Sequence, residues 1–247
     1  MNLKKIFNNK KIIITGHTGF KGSWLTAWLK LLGANVMGIS LKPHTYPSHF
    51  LVSKISSGIK DIRLDIRDKK KLEKKIISFK PDFLFHLAAQ SLVGVSYENP
   101  TMTWQTNVLG TLNILESLRK LKNACNAVII TSDKCYLNKE IHYGYKETDI
   151  LGGKDPYSAS KASAELLVKS FINSFFLNNK SKIRIVTARA GNVIGGGDWA
   201  KNRIIPDCVR YWSRGNKALL RNPNATRPWQ HVLEAVGGYI CLAINLK

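Results

Sequence analysis

Tyr157 and Lys161 stand four residues apart in "DPYSASKASAE", a spacing that stacks two side chains on one face of a helix. An ammonium near a phenol stabilises the phenolate and lowers the tyrosine pKa. Such a pair can exchange a proton with a sugar hydroxyl while hydride moves to or from a nicotinamide. A second constellation lies in "TSDKCY", where Ser132, Asp133 and Lys134 follow the apolar run "NAVIIT" directly. An exposed ion pair in a turn would contribute little. Oxidising or epimerising a hydroxyl needs the serine, the tyrosine and the lysine; an adjacent acid and amine are surplus unless a second bond must break.

The third candidate is "TGHTGFKG", with Gly16, Gly19 and Gly22 at three-residue spacing after an apolar run and before a helical pattern. Glycine permits the tight turn and the close backbone approach, and a helix N-terminus offers free N–H groups to a pyrophosphate. Strand before and helix after is the context that a dinucleotide site requires.

These residues need a scaffold that brings them to one edge. Strand-like runs recur at 11–15, 35–40, 61–66, 82–89, 126–131 and 183–190, read from β-rich composition. Helical spacing separates them: Trp24, Leu25, Trp28, Leu29 and Leu32; Leu72, Ile76 and Phe79 beneath the wet face of "DKKKLEKK"; Val108, Leu112, Leu115 and Leu118; then "KASAELLVKSFINSFFL". Strand alternating with helix predicts an α/β fold, a doubly wound parallel Rossmann sheet whose ligands lie beyond the carboxyl ends of the strands. The expected division is a dinucleotide-binding domain over 1–190 and a smaller, partial substrate-binding region over 191–247, where Gly, Pro, Asn and Arg take over. The opening "MNLKKIFNNKKIIITG" reads as a first strand rather than a leader, because few apolar residues precede Gly16 and no small-residue cleavage site follows.

The second strand ends "GISLKP", without the acid that would hold a ribose 2′-hydroxyl; Ser40 and Lys42 on their own would favour a phosphorylated cofactor. Asp65, in "LDIRD", can hydrogen-bond an adenine edge or cap the following helix.

The chain of 247 residues carries 38 Lys+Arg against 16 Asp+Glu, a formal charge of +22. That excess attracts anions, but aromatics do not interleave with the lysines as a nucleic-acid stacking platform requires. The charge therefore reads as a solvated surface suited to an anionic substrate. Cys125, Cys135, Cys208 and Cys241 lie far apart without CxxC spacing, which fits reduced thiols in the cytoplasm and no metal site. No apolar stretch is long enough to span a bilayer.

Together these residues resemble the extended short-chain dehydrogenase/reductase family, in which the GxxGxxG spacing occurs. Within it, "TGHTGFKGSWL", "HLAAQSLV", "TNVLGTLNILE", "TSDKCY", "YSASKASAE", "RAGNVIGGGDW", "RIIPD" and "RPWQHVLE" look most like the CDP-glucose branch of the nucleotide-sugar 4,6-dehydratases. The resemblance implies tightly held NAD, which overrides the hint from Ser40 and Lys42. It further implies a cofactor site from Gly16, Thr18, Gly19, Phe20, Lys21, Gly22, Asp65, Ile66, Leu87, Ala88, Ala89, Gln90, Thr106, Tyr157 and Lys161. The substrate would meet Gln90, Ser91, Ser132, Asn192, Arg203 and Arg227, whose guanidinium forks suit a diphosphate. Tyr157, with Lys161 and Ser132, would take the C4 hydroxyl proton; Lys134 would stand where the C5 base is expected, although a neighbouring carboxylate favours its charged form; Asp133 would protonate the departing C6 hydroxyl. The same likeness implies a homodimer or higher homo-oligomer through 106–121 and 158–177, a role in surface-polysaccharide synthesis, and a substrate region that in the family runs well past this chain's last motif. Trp104, Trp199, Trp212 and Trp229 are expected to pack that region. The rival readings are a 4-epimerase of the same family and a non-catalytic NAD-binding fragment.

Overall fold

A computed structural model describes residues 2–177, 181–220 and 222–246. Strands β1 (Lys11–Thr15), β2 (Asn35–Ser40), β3 (Lys60–Arg63), β4 (Phe83–His86), β5 (Cys125–Ile130) and β6 (Ile183–Ala188) form one parallel sheet in the order β3-β2-β1-β4-β5-β6. The order reverses between β1 and β4, which opens a crevice at their carboxyl ends.

Both faces of the sheet are covered, so its strands read as continuous apolar runs rather than alternating ones. Successive side chains still point to opposite faces. Ile12 and Ile14 of β1 join Leu25 and Leu29 of α2 (Phe20–Leu31) and Val236 and Ile240 of α10 (Val232–Asn245). Ile13 joins Leu72 and Ile76 of α4 (Lys69–Phe79), Leu115 and Leu118 of α7 (Gly110–Arg119) and Val168 of α8 (Pro156–Phe171). Each such side chain is fully buried, a gain of roughly 1.5–3 kcal/mol apiece. The inner face expected for the lysine-rich helix, Leu72, Ile76 and Phe79, is the buried face of α4.

Several boundaries differ from expectation. The first residues form a short helix, α1 (Leu3–Phe7), capped by Asn2, because Phe7 inserts into the core before the chain turns into β1. Strands β3, β4 and β6 end two or three residues early. Beside β4, strand β1 leaves the ladder after Thr15, whose carbonyl accepts from the Leu87 N–H at 3.0 Å, and turns at Gly16, whose φ is +76°. Short helices α3 (His49–Val52), α5 (Val93–Glu98) and α6 (Pro100–Trp104) carry no long apolar period and were not anticipated. A π turn over Gln105–Leu109 joins α6 to α7, and another over Ile172–Phe176 continues α8. Beyond β6 come β7 (Asn192–Ile194), α9 (Ile204–Trp212) and β8 (Trp229–His231), with β7 and β8 paired in parallel.

A boundary at 190 therefore divides the sequence but not the core. Helix α10 packs on the same face as α2, and the Asn126 side chain of β5 donates to the Ala243 carbonyl at 2.8 Å. The tryptophans also depart from expectation: Trp104, Trp212 and Trp229 are exposed, the last two on a single helix, α9, and a two-stranded ladder that offer them no second layer. Among the described residues no helix is long and apolar enough to cross a membrane.

Candidate active site

The glycine turn is built by close approach. A Cβ on Gly16 would lie 2.7 Å from the Ala88 nitrogen, and one on Gly22 would lie 2.1 Å from the Gly16 carbonyl oxygen. Only glycine lets the loop, the start of α2 and the segment after β4 occupy that space together. Helix α2 starts at Gly19 with no capping side chain, so its first N–H groups stay available to an anion. Thr18 is locked beside it, its hydroxyl 2.8 Å from that of Ser40 and 3.1 Å from the Leu41 carbonyl. Ser40, which alone hinted at a phosphorylated cofactor, is thus internally bonded. Phe20 packs on the core, and Lys21 reaches the Tyr239 hydroxyl of α10 at 3.3 Å.

The segment after β4 is held by a polar relay. The Ala88 N–H donates to Thr15 Oγ1 at 3.2 Å, and Thr15 Oγ1 lies 2.7 Å from His86 Nδ1. Thr111 gives its own proton to the Asn107 carbonyl at 2.7 Å, so His86 Nε2, 3.1 Å from Thr111 Oγ1, must be the donor there. The ring is neutral: burial, and then the charge of Lys161, push its pKa down to about 3. Asn107, brought inward by the π turn, accepts from the Gln90 N–H at 2.8 Å and donates to the Gln90 carbonyl at 3.0 Å and to Ser160 Oγ at 2.9 Å. Neither His86 nor Asn107 was singled out from the sequence; Asn107 sits inside "TNVLGTLNILE", where a polar residue on an otherwise apolar face was the available signal.

The Gln90 side chain is engaged within its own loop. Its amide donates to Thr103 Oγ1 at 2.9 Å and accepts from the Leu92 N–H at 2.6 Å, so it shapes the loop from within. Ile66 is likewise a core residue, packed in the α4 and α7 face. Asp65 does not cap α4: Asp68 does, accepting from the Lys71 N–H. The Asp65 carboxylate instead clasps Arg67, Oδ2 to Nη2 at 2.6 Å, and this hydrogen bonding holds its pKa below the usual carboxylate range. Thr106 is half-buried in the π turn.

Helix α8 begins with a capping box. The Asp155 side chain accepts from the Tyr157 and Ser158 N–H groups at 3.0 Å, and Ser158 Oγ accepts from the Asp155 N–H at 3.1 Å, with Pro156 at the first position. That start fixes Tyr157 and Lys161 on the inward face, both buried. Lys161 Nζ donates to the Ile130 carbonyl at 3.4 Å, and burial, reinforced by Lys21, lowers its pKa to about 8. The tyrosine differs from expectation: burial raises its pKa, and the opposing effects come from a hydrogen bond with Ser132 and the charge of Arg203 rather than from Lys161.

Ser132 caps a one-turn 3-10 helix, Asp133–Cys135. Its hydroxyl donates to Asp133 Oδ1 at 3.0 Å and accepts from the Lys134 N–H at 3.2 Å. Asp133 and Lys134 do not form an ion pair with each other among the described residues, and Lys134 is exposed. Consecutive residues of a 3-10 turn project about 120° apart, so the two side chains of this dipeptide point away from each other.

Arg203 is drawn to the same edge. It donates to Asp198 Oδ2 at 2.8 Å and approaches Ser91 Oγ at 3.5 Å, so Ser91 and Arg203 meet. Asn192 and Arg227 lie at the base of the β7–β8 ladder: the Asn192 N–H donates to the Pro228 carbonyl at 3.0 Å, and Arg227 bonds the adjacent Thr226 carbonyl at 2.6 Å on exposed surface. The described residues do not join Arg227 to the Arg203 cluster. His17, unremarked in the sequence, is buried against Asp61 with Nε2 2.8 Å from Oδ1. Among the described residues no group of three or more His, Cys, Asp or Glu side chains could hold a metal ion, and all four cysteines are free.

Known proteins match this chain throughout its length. The family model described as GDP-mannose 4,6 dehydratase matches residues 13–244. A CDP-glucose 4,6-dehydratase of Salmonella typhimurium is 48% identical over 246 residues, 98% of this chain and 68% of that protein. Among solved structures, the epimerase Mth375 of Methanothermobacter thermautotrophicus superposes with a TM-score of 0.86 at 25% identity, over 99% of this chain and 70% of that one. The dTDP-glucose 4,6-dehydratase DesIV of Streptomyces venezuelae, solved as a double mutant with NAD and DAU bound, gives 0.79 at 23% identity, over 93% and 70%. With a family model spanning β1 to α10 and a relative almost half identical across the whole sheet, the chain belongs to the GDP-mannose 4,6-dehydratase family.

Proposed function

We propose that this chain is an NAD-dependent CDP-glucose 4,6-dehydratase, a hydro-lyase that converts CDP-glucose to CDP-4-keto-6-deoxyglucose and water. The observation that carries the reading is the Asp133–Lys134 turn at the end of β5, set beside Ser132 and the buried Tyr157. Its similarity to the Salmonella enzyme supplies the nucleotide.

The cradle of Gly16, Thr18, Gly19, Phe20, Lys21 and Gly22 fits a dinucleotide because its glycines leave backbone where a Cβ would collide. Asp65, the backbone at Ile66, residues Leu87 to Gln90, Thr106, Tyr157 and Lys161 complete that lining. When bound, NAD supplies one acceptor and donor of hydride, so the whole conversion is redox-neutral. Tyr157, oriented by Ser132, takes the proton of the C4 hydroxyl, with the Ser132 hydrogen bond and the charge of Arg203 favouring the phenolate and Lys161 buried on the same helix face. The ketone left at C4 acidifies the proton on C5. Lys134 removes that proton, or in its charged form stabilises the enolate. Asp133 delivers a proton to the C6 hydroxyl, which departs as water. Ser91, Asn192, Arg203 and Arg227 hold the nucleotide diphosphate, with Gln90 shaping the loop beneath.

We also infer a homodimer through residues 106–121 and 158–177, supported by the exposed Leu109, Leu166 and Phe175. The four free cysteines support a reducing, cytoplasmic location. The dinucleotide-binding and substrate-binding functions divide near residue 190 in sequence.

A 4-epimerase is the second reading, favoured by the close superposition on Mth375. The purified protein, incubated separately with CDP-, dTDP-, UDP- and GDP-hexoses, tests both by mass spectrometry. Loss of one water from CDP-glucose is expected; a change of stereochemistry at constant mass would replace the dehydratase with the epimerase.

A further inference from the structure

Glu165 lies on α8 four residues beyond Lys161 and eight beyond Tyr157, so the three side chains follow one face of the helix. Its side chain is 4% exposed and takes no part in the chemistry described above. Each of its oxygens is nonetheless satisfied twice. Oε1 accepts from Arg189 Nε at 3.1 Å and from the Thr131 hydroxyl; Oε2 accepts from Arg189 Nη2 at 3.0 Å and from the Thr187 hydroxyl at 2.9 Å. Burial alone would raise the Glu165 pKa, but the hydrogen bonds from Arg189, Thr131 and Thr187 outweigh it and hold it below the usual range.

The donors come from two strand ends. Thr131 directly follows β5 and precedes Ser132, while Thr187 and Arg189 lie at the end of β6. On its far side the Arg189 guanidinium sits 4.7 Å over the Tyr136 ring, and Tyr136 stacks on Tyr145 at 5.0 Å. Tyr136 directly follows the turn that carries Asp133 and Lys134. A second strut runs beneath that turn, the Asp133 N–H donating to the Ala190 carbonyl at 3.2 Å. One buried ion pair thus grips the acid–amine turn before its first residue and after its last, and ties both grips to the helix bearing the tyrosine and lysine.

Apolar residues of similar volume stabilise a fold as well as a buried ion pair does. What a bidentate pair adds is a fixed distance and plane. We propose that Glu165 and Arg189 are positioning residues that set the register between the Tyr157–Lys161 helix and the Asp133–Lys134 turn, and thereby couple the loss of water to oxidation at C4. The proposal rests on the dehydratase reading and adds to it a pair that touches neither substrate nor cofactor.

The test is single-turnover reaction with CDP-glucose and NAD, following reduced nicotinamide by absorbance for oxidation at C4 and mass spectrometry for water loss. A small misplacement of reacting groups costs one to two orders of magnitude in rate. Glu165→Gln is therefore expected to slow water loss by roughly tenfold or more while leaving C4 oxidation within about threefold, so that reduced cofactor accumulates. Removing one member of a buried pair can prevent folding. Tyr136→Leu keeps the pair and removes both contacts that Tyr136 makes with Arg189, the ring face and a hydrogen bond; it is expected to shift the same ratio by severalfold with a melting temperature close to the parent's. Equal slowing of both steps in Glu165→Gln, or an unchanged ratio in Tyr136→Leu, overturns the proposal. If the parent protein itself releases no water from CDP-glucose, the functional reading fails first and this inference falls with it; if the parent dehydrates and the ratio stays put, the inference alone is wrong.

Discussion

The Tyr157–Lys161 half of the site and the Asp133–Lys134 half meet at one sheet edge and are built differently. The first rides on a sixteen-residue helix opened by a capping box, both side chains buried, with a low-pKa lysine beneath the strand end. The second rides on a single 3-10 turn, and its lysine faces solvent. Proton exchange with a hydroxyl demands a shifted, desolvated group held still. Elimination must admit a sugar and let water leave, so its groups stand at the open rim. Under the proposed dehydratase reading, the contrast teaches that the oxidation step is preorganised and the elimination step is left to be completed when substrate fills the rim.

The contrast can be broken most severely at the buried half. Tyr157→Phe removes the group proposed to take the C4 proton, and C4 oxidation should fall by about 10²–10⁴-fold with the melting temperature nearly unchanged; retained reduction of nicotinamide would move the base elsewhere. Lys161→Met tests the burial itself. The folded-state pKa of about 8 lies below the ordinary 10.5, so between those values the unfolded chain holds a proton that the folded chain lacks, and stability rises with pH across that window. The parent should gain on the order of 3 kcal/mol relative to Lys161→Met between pH 8 and 10.5, read by urea denaturation at each pH; parallel curves would mean that the lysine is solvated. Lys134→Ala touches the exposed half and should slow water loss by about 10²-fold while C4 oxidation persists. Water loss near the parent rate would remove Lys134 from the base position.

Much of this was legible in the sequence. The parallel order, the two apolar faces and the placement of Tyr157, Lys161, Ser132 and Asp133 follow from strand and helix periods that depend on neighbours close in sequence. What was hidden depends on distant ones. Nothing near Gln90 in sequence shows that Thr103 and Asn107 will be brought against it. Asp65 reads equally as an adenine contact or a helix cap until Arg67 folds back and Asp68 takes the cap. His86, between threonines on two different elements, has no local signature at all. The exposed tryptophans erred the other way, since an aromatic in sequence carries no mark of whether a second layer will cover it.

The pairing of β7 with β8 carries a further consequence. Asn192 faces Trp229 across that ladder, so the chain departs from the sheet at Ile194 and returns beside its own point of departure before entering α10. An excursion whose ends are already tied together can lengthen at small cost, about 0.6 kcal/mol for each doubling. In the proposed reading, the exposed turns of the stretch carrying Arg203 and Arg227 can thereby change in length at small cost while the frame beneath keeps its strand order, a place where one scaffold could be retuned from one nucleotide to the next.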